Sequence, residues 1–217
     1  MNMKNLFLLT GILLSTFIFA QQDPNAKVIL DKLSEKNKSY QNIQSDFTIE
    51  YKNLKDNTQN SSKGSITIQG EKYRLNFMGV QSFFNGKTLW SYLEEVNEVN
   101  ISEPDQNEKD IFNNPQKIFT IYNRDFKYQL IDQYNEEGDS KAIIDLYPYD
   151  IDEDYSRLRL EINTSDYQLQ SVSIYGKDGS HYMIRFYNYK TNLDLEQTYF
   201  TFETSDYPNA EIIDMRW

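Results

Sequence analysis

After Tyr40 the spacing of apolar residues in this chain changes from the period of a helix to the period of a strand, and it scarcely changes back. Up to that point Ala26, Ile29, Leu30, Leu33 and Tyr40 recur at helical intervals. Asp23-Pro24 supplies an N-cap acceptor followed by a proline at the first turn, so the pattern predicts one amphipathic helix over 25–41. Beyond it Ile43, Phe47, Ile49 and Tyr51 fall on one face, and Gln44, Asp46, Thr48, Glu50 and Lys52 on the other, which reads as a half-buried strand. A polar run over 55–63 reads as a loop. Ile66 and Ile68 then alternate with polar partners, as do Tyr73, Leu75 and Phe77 with Lys72, Arg74 and Asn76. Asn85-Gly86 between the runs 80–84 and 87–93 is a hairpin signal, and Val96, Val99 and Ile101 suggest a further edge. Strands resume over 126–134, 141–149, 157–163, 168–175, 182–189 and 198–202, joined by turn chemistry at Glu137-Gly138-Asp139, 163–166 and Asp178-Gly179.

That makes about ten or eleven strands with short connectors, and no crossover helix between them, so the predicted sheet is antiparallel and the domain single over 21–217. A sheet of this many strands curls. Its apolar face must close on itself or wrap around something else. Two helical pieces are available as filling. One is the N-terminal helix. The other is a mid-chain segment holding Ile111, Phe112, Asn114-Pro115, Ile118, Phe119, Ile121 and Tyr122, read as one or two short helices. Placed in the concave face of the curled sheet, they would plug it without filling it, and the gap would be an apolar cavity. Phe47, Ile49, Tyr51, Tyr73, Leu75, Phe84 and Trp90, with Leu33 from the helix, are the candidates to line it. The same residues would equally serve as a packed core. Tyr182 to Tyr189 is apolar or aromatic on both faces and reads as a central strand.

Composition removes whole classes of function. With no cysteine there is no thiol catalysis, thiolate metal site or disulfide, and the one histidine, His181, has no second histidine to support a zinc site or a conventional triad. A formal charge of −11 repels nucleic-acid phosphates. The acidic run Asp150, Asp152, Glu153 and Asp154 lacks the glycine and terminal glutamate of a calcium loop and reads as a solvated loop. No carboxylate pair stands out for hydrolysis, and no glycine-rich phosphate loop exists. The expectation is a protein without catalytic residues, metal or cofactor. At the N-terminus Lys4 is followed by an apolar run from Leu6 to Ala20, short for a membrane span and ending in a small residue, so residues 1–20 read as a cleaved signal peptide.

At this point the chain resembles the LolA-type outer-membrane lipoprotein carrier family. Asn85-Gly86-Lys87-Thr88-Leu89-Trp90-Ser91-Tyr92 is similar to that family's D-G-K-T-L-W-x-Y segment. Ser39 to Phe47 resembles its first helix–strand junction, and Gly64-Ser65-Ile66-Thr67-Ile68 its G-x-L-x-V strand. Asn114-Pro115 with Ile118, Phe119 and Tyr122 falls where the family has lid helices, and Phe200-Thr201-Phe202 resembles its terminal F-T-F strand. The resemblance implies a half-open barrel with Ile111, Phe112, Ile118, Phe119 and Tyr122 in a lid. It implies a monomeric periplasmic carrier that takes acylated lipoproteins from an inner-membrane release complex toward an outer-membrane acceptor. A lipid- or lipoprotein-sensing module of the same shape, or a carrier of another acylated lipid, is the alternative. The family's Arg-Pro pair, whose arginine latches the lid, is replaced here by Gln69-Gly70-Glu71; Arg74 fits a second basic position and is the candidate latch.

Overall fold

The computed structural model describes residues 22–105, 114–120, 122 and 126–216. The segment read as a signal peptide lies outside them, as do Ile111, Phe112 and Ile121. Helix α1 (Pro24–Ser39) starts where the sequence places it: Asp23 accepts hydrogen bonds from the backbone N–H groups of Asn25 and Ala26. Its buried stripe is Ala26, Ile29, Leu30 and Leu33.

Twelve strands follow among the described residues: β1 (Ile43–Asn53), β2 (Gln59–Gln69), β3 (Lys72–Phe77), β4 (Val80–Phe84), β5 (Leu89–Leu93), β6 (Glu98–Ser102), β7 (Phe126–Glu136), β8 (Asp139–Pro148), β9 (Tyr155–Asn163), β10 (Gln168–Gly176), β11 (Ser180–Thr191) and β12 (Glu211–Asp214). They form one sheet in the order β12-β6-β5-β4-β3-β2-β1-β11-β10-β9-β8-β7. Two meanders, β1 to β6 and β7 to β11, are thus joined by the antiparallel β1–β11 pair. The two end strands, β12 and β7, do not pair with each other, so the sheet is open, in keeping with a half-barrel. Between β6 and β7 the chain forms a 3₁₀ helix, Pro115–Phe119.

Four expectations are corrected. The strand count among the described residues is twelve. The polar run 55–63 is a loop only to Thr58, because β2 begins at Gln59 and pairs with Lys52. Residues 198–202 are turns and irregular backbone, not a strand, and they pack Phe202 onto the outer face of the sheet. The last strand is β12, and it joins β6 in parallel, the single parallel pair in an otherwise antiparallel ladder.

The main core fills the concave face, where α1 and the 3₁₀ helix meet the inward residues of β1–β3 and β7–β11. A second, smaller cluster covers the outer face: Phe83, Val99 and Phe202, with Trp90, Tyr92 and Tyr207 against them.

Candidate functional site

Inside the concave face the plug and the wall leave a gap of about 90 Å³. Phe47 and Ile49 of β1, Ile66 of β2, Leu75 and Phe77 of β3, and Ile184 and Phe186 of β11 form its wall, and Pro115 and Ile118 of the 3₁₀ helix form its cover. Every lining side chain among the described residues is apolar. These residues converge because the register places Phe47 opposite Phe186 and Ile49 opposite Ile184 on one side, and Ile66 opposite Leu75 on the other. Exposure grades along the gap: Phe47, Ile66, Ile184 and Phe186 are buried, whereas Ile49, Leu75 and Phe77 are half-buried. One pleat beyond Ile49, the rings of Tyr51 and Tyr182 pack at 5.0 Å, both half-buried.

In a 3₁₀ helix residues three apart eclipse, so Pro115 and Ile118 share one face and Gln116 and Phe119 share another. The first pair meets the gap. On the second, the Phe119 ring lies 5.0 Å from Phe186 and 6.2 Å from Tyr189. There Asn37, in the last turn of α1, donates through Nδ2 to the Phe119 carbonyl (3.1 Å) and to the Tyr122 hydroxyl (2.9 Å). Asn37 Oδ1, both side-chain amide atoms of Gln116 and the Tyr189 hydroxyl are buried with no hydrogen-bond partner among the described residues. Burial pushes the phenols of Tyr122 and Tyr189 well above the ordinary range, and that of Tyr73 up to about 12.

The sequence-derived candidates sort into groups. Phe47, Ile49, Leu75 and Ile118 wall or cover the gap, and Tyr51 stands beside it. Leu33, Tyr73, Phe84, Phe119 and Tyr122 are packed in the core around it. Trp90 belongs elsewhere: it pairs with Phe83 and packs in the outer cluster, on the opposite face from Phe84. Arg74 is likewise on the outer face, its guanidinium 4.6 Å from the Phe83 ring and 5.2 Å from that of Tyr199. From there it does not latch the 3₁₀ helix, because Tyr73 and Leu75, its neighbours along the strand, are the ones that point inward. The sequence reading missed Ile66, Phe77, Pro115, Ile184 and Phe186 as lining residues. Phe77 continues the Tyr73–Leu75 alternation and was findable; Ile184 and Phe186 sit in a strand apolar on both faces, where alternation carries no sign. Among the described residues no group of three or more His, Cys, Asp or Glu is placed to hold a metal.

A family model described as outer membrane lipoprotein carrier protein LolA matches residues 14–137, more than half of the chain. Among solved structures, an uncharacterized conserved protein from Thermus thermophilus matches with a TM-score of 0.58 and 12% identity, over 88% of this chain and 99% of that one. LprF from Mycobacterium bovis matches with a TM-score of 0.50 and 13% identity, over 81% of this chain and 98% of that one. At these identities the likeness is one of fold. No curated protein matches the sequence.

Proposed function

The chain belongs to the outer membrane lipoprotein carrier protein LolA family, and from that footing we propose that it is a periplasmic carrier that shelters the acyl chains of lipoproteins on their way from the inner to the outer membrane. The carrying observation is the wholly apolar gap between the β1–β3/β11 wall and the 3₁₀ cover. Each buried methylene is worth about 0.8 kcal/mol, so one sixteen-carbon chain represents roughly 10 kcal/mol. Three chains buried completely would pass the practical ceiling of affinity, roughly −20 kcal/mol, and would never be released. A carrier therefore needs a cavity that is small when empty and enlarges in use. At about 90 Å³ the gap matches an empty state, since a site for a whole small ligand measures roughly 300–1,000 Å³. Pro115 and Ile118 are the wall elements not tied into the sheet ladder, so displacement of the 3₁₀ helix is the simplest route to enlargement. Among the described residues that line the gap, none supplies a nucleophile or a general base, which fits binding rather than turnover.

The test is to purify the protein from its native compartment and identify what it holds by mass spectrometry. Acylated lipoproteins, bound by the wild type and lost in Leu75→Glu, support the carrier. Repeated recovery of the wild type without any acylated molecule removes it. Transfer separates carrier from sensor: a carrier strips acylated lipoproteins from inner-membrane vesicles and delivers them to acceptor vesicles, whereas a sensing module binds them and hands nothing on.

A further inference from the structure

The cover is held by a contact that the resemblance does not supply. Asn37 reaches from the last turn of α1 to the 3₁₀ helix and to Tyr122, donating to the Phe119 carbonyl and the Tyr122 hydroxyl. Around this clasp the closed arrangement strands polar groups: Asn37 Oδ1, both amide atoms of Gln116, which is 4% exposed, and the Tyr189 hydroxyl. A buried polar atom without a partner costs free energy, and it regains water when the element covering it moves away. The two donations by Asn37 therefore favour closure, and the stranded groups, one each on α1, the 3₁₀ helix and β11, oppose it. Phe119, packed between Phe186 and Tyr189, links this balance to the cavity wall, because Phe186 lines the gap.

We infer that Asn37 is the latch of the cover, and that Gln116 and Tyr189 are positioning residues that keep the latched state only weakly favoured, so that an arriving acyl chain can displace it. Only the use of this device rests on the carrier reading. Its physics is read without ligand, by hydrogen–deuterium exchange of the purified protein over 116–122.

Asn37→Leu removes both donations, leaving two acceptors without this donor in exchange for the one stranded Oδ1, and is expected to speed exchange there roughly tenfold while the β1–β11 ladder stays protected. Gln116→Met and Tyr189→Phe keep volume and remove the stranded groups; each is expected to slow exchange in the same segment several-fold. Both are also expected to slow uptake of a dansyl-labelled undecanoic acid. A purely structural role would move all three variants in one direction, toward faster exchange, and that result overturns the inference. So does unchanged exchange in Gln116→Met and Tyr189→Phe, which would mean that internal water already satisfies these atoms. Should Asn37→Leu fail to fold, the other two variants carry the test, since both are expected to tighten the protein. Slowed exchange with no probe uptake even in the wild type would uphold the latch and count against the carrier.

Discussion

A methyl group placed on Gly64 would sit 2.4 Å from Phe47 Cζ and 2.6 Å from the Asn76 carbonyl oxygen. Gly64 pairs directly with Phe47 in the β1–β2 ladder, and the phenyl ring lies over the space its side chain would take. The glycine of the G-x-L-x-V segment is thus visible in the sequence, but its purpose, letting a cavity-lining ring lie flat against the neighbouring strand, is not. Gly64→Ala is expected to push the ring into the gap and shift β3, destabilising the protein by about 1–3 kcal/mol. Thermal unfolding reads the loss, and weaker binding of an acyl probe reads the smaller gap. Trp90 and Arg74 teach the converse. Trp90 follows a four-residue connection, Asn85–Thr88, in which Asn85 Oδ1 accepts from the N–H groups of Lys87 and Thr88. The register emerging from that turn puts Trp90 opposite Phe83 rather than Phe84. A motif names the residue; only the turn geometry decides its face.

At the scale of elements, α1 and the edge strand β7 are fastened by the residues that begin the helix. Asp23 Oδ2 accepts from the Leu130 N–H at 3.0 Å while Oδ1 caps the helix, and Gln22 accepts from the Tyr128 N–H and donates to the Phe126 carbonyl. This covers part of an otherwise open sheet edge. The Leu130 bond is the largest cause holding the Asp23 carboxyl below its ordinary value of 3.8. A depressed carboxylate contributes stability that is complete above the ordinary value and is lost as pH falls through the lowered one. Asp23→Ala is expected to cost about 1 kcal/mol near neutrality, and the gap between wild type and variant in urea unfolding should shrink as pH is taken below 3.8. The helix and its cap were legible because both are local. The outer half of the β1–β2 hairpin was not, since its β2 arm is solvated on both faces and shows no alternation. Nor was β12, four exposed residues held by a parallel partner more than a hundred positions earlier.

At the scale of the whole molecule the sheet has two working faces. The concave one holds the main core and the gap; the outer one is covered by the chain that returns after β11, through Phe202 and Tyr207. The faces should be separable. Phe202→Ala removes a ring stacked on Tyr207 and edge-on to Phe83, and is expected to cost about 3 kcal/mol in denaturant unfolding. Affinity for an acyl probe should be unchanged at temperatures where the variant is folded. A matching loss of affinity would mean that the outer cluster shapes the gap through the sheet. What the sequence determined by itself was the class of structure: a period of two sustained over most of the chain, one capped helix, and a proline-led apolar segment in the middle, all written in neighbouring residues. Which strands join, which face a tryptophan takes, that Asn37 rather than an arginine reaches the cover, and that a space is left between plug and wall were decided by tertiary structure. The reason is physical: pairing register and leftover volume depend on how side chains far apart in the chain fit together, and a local pattern records only that a residue is to be buried, not what it will meet there.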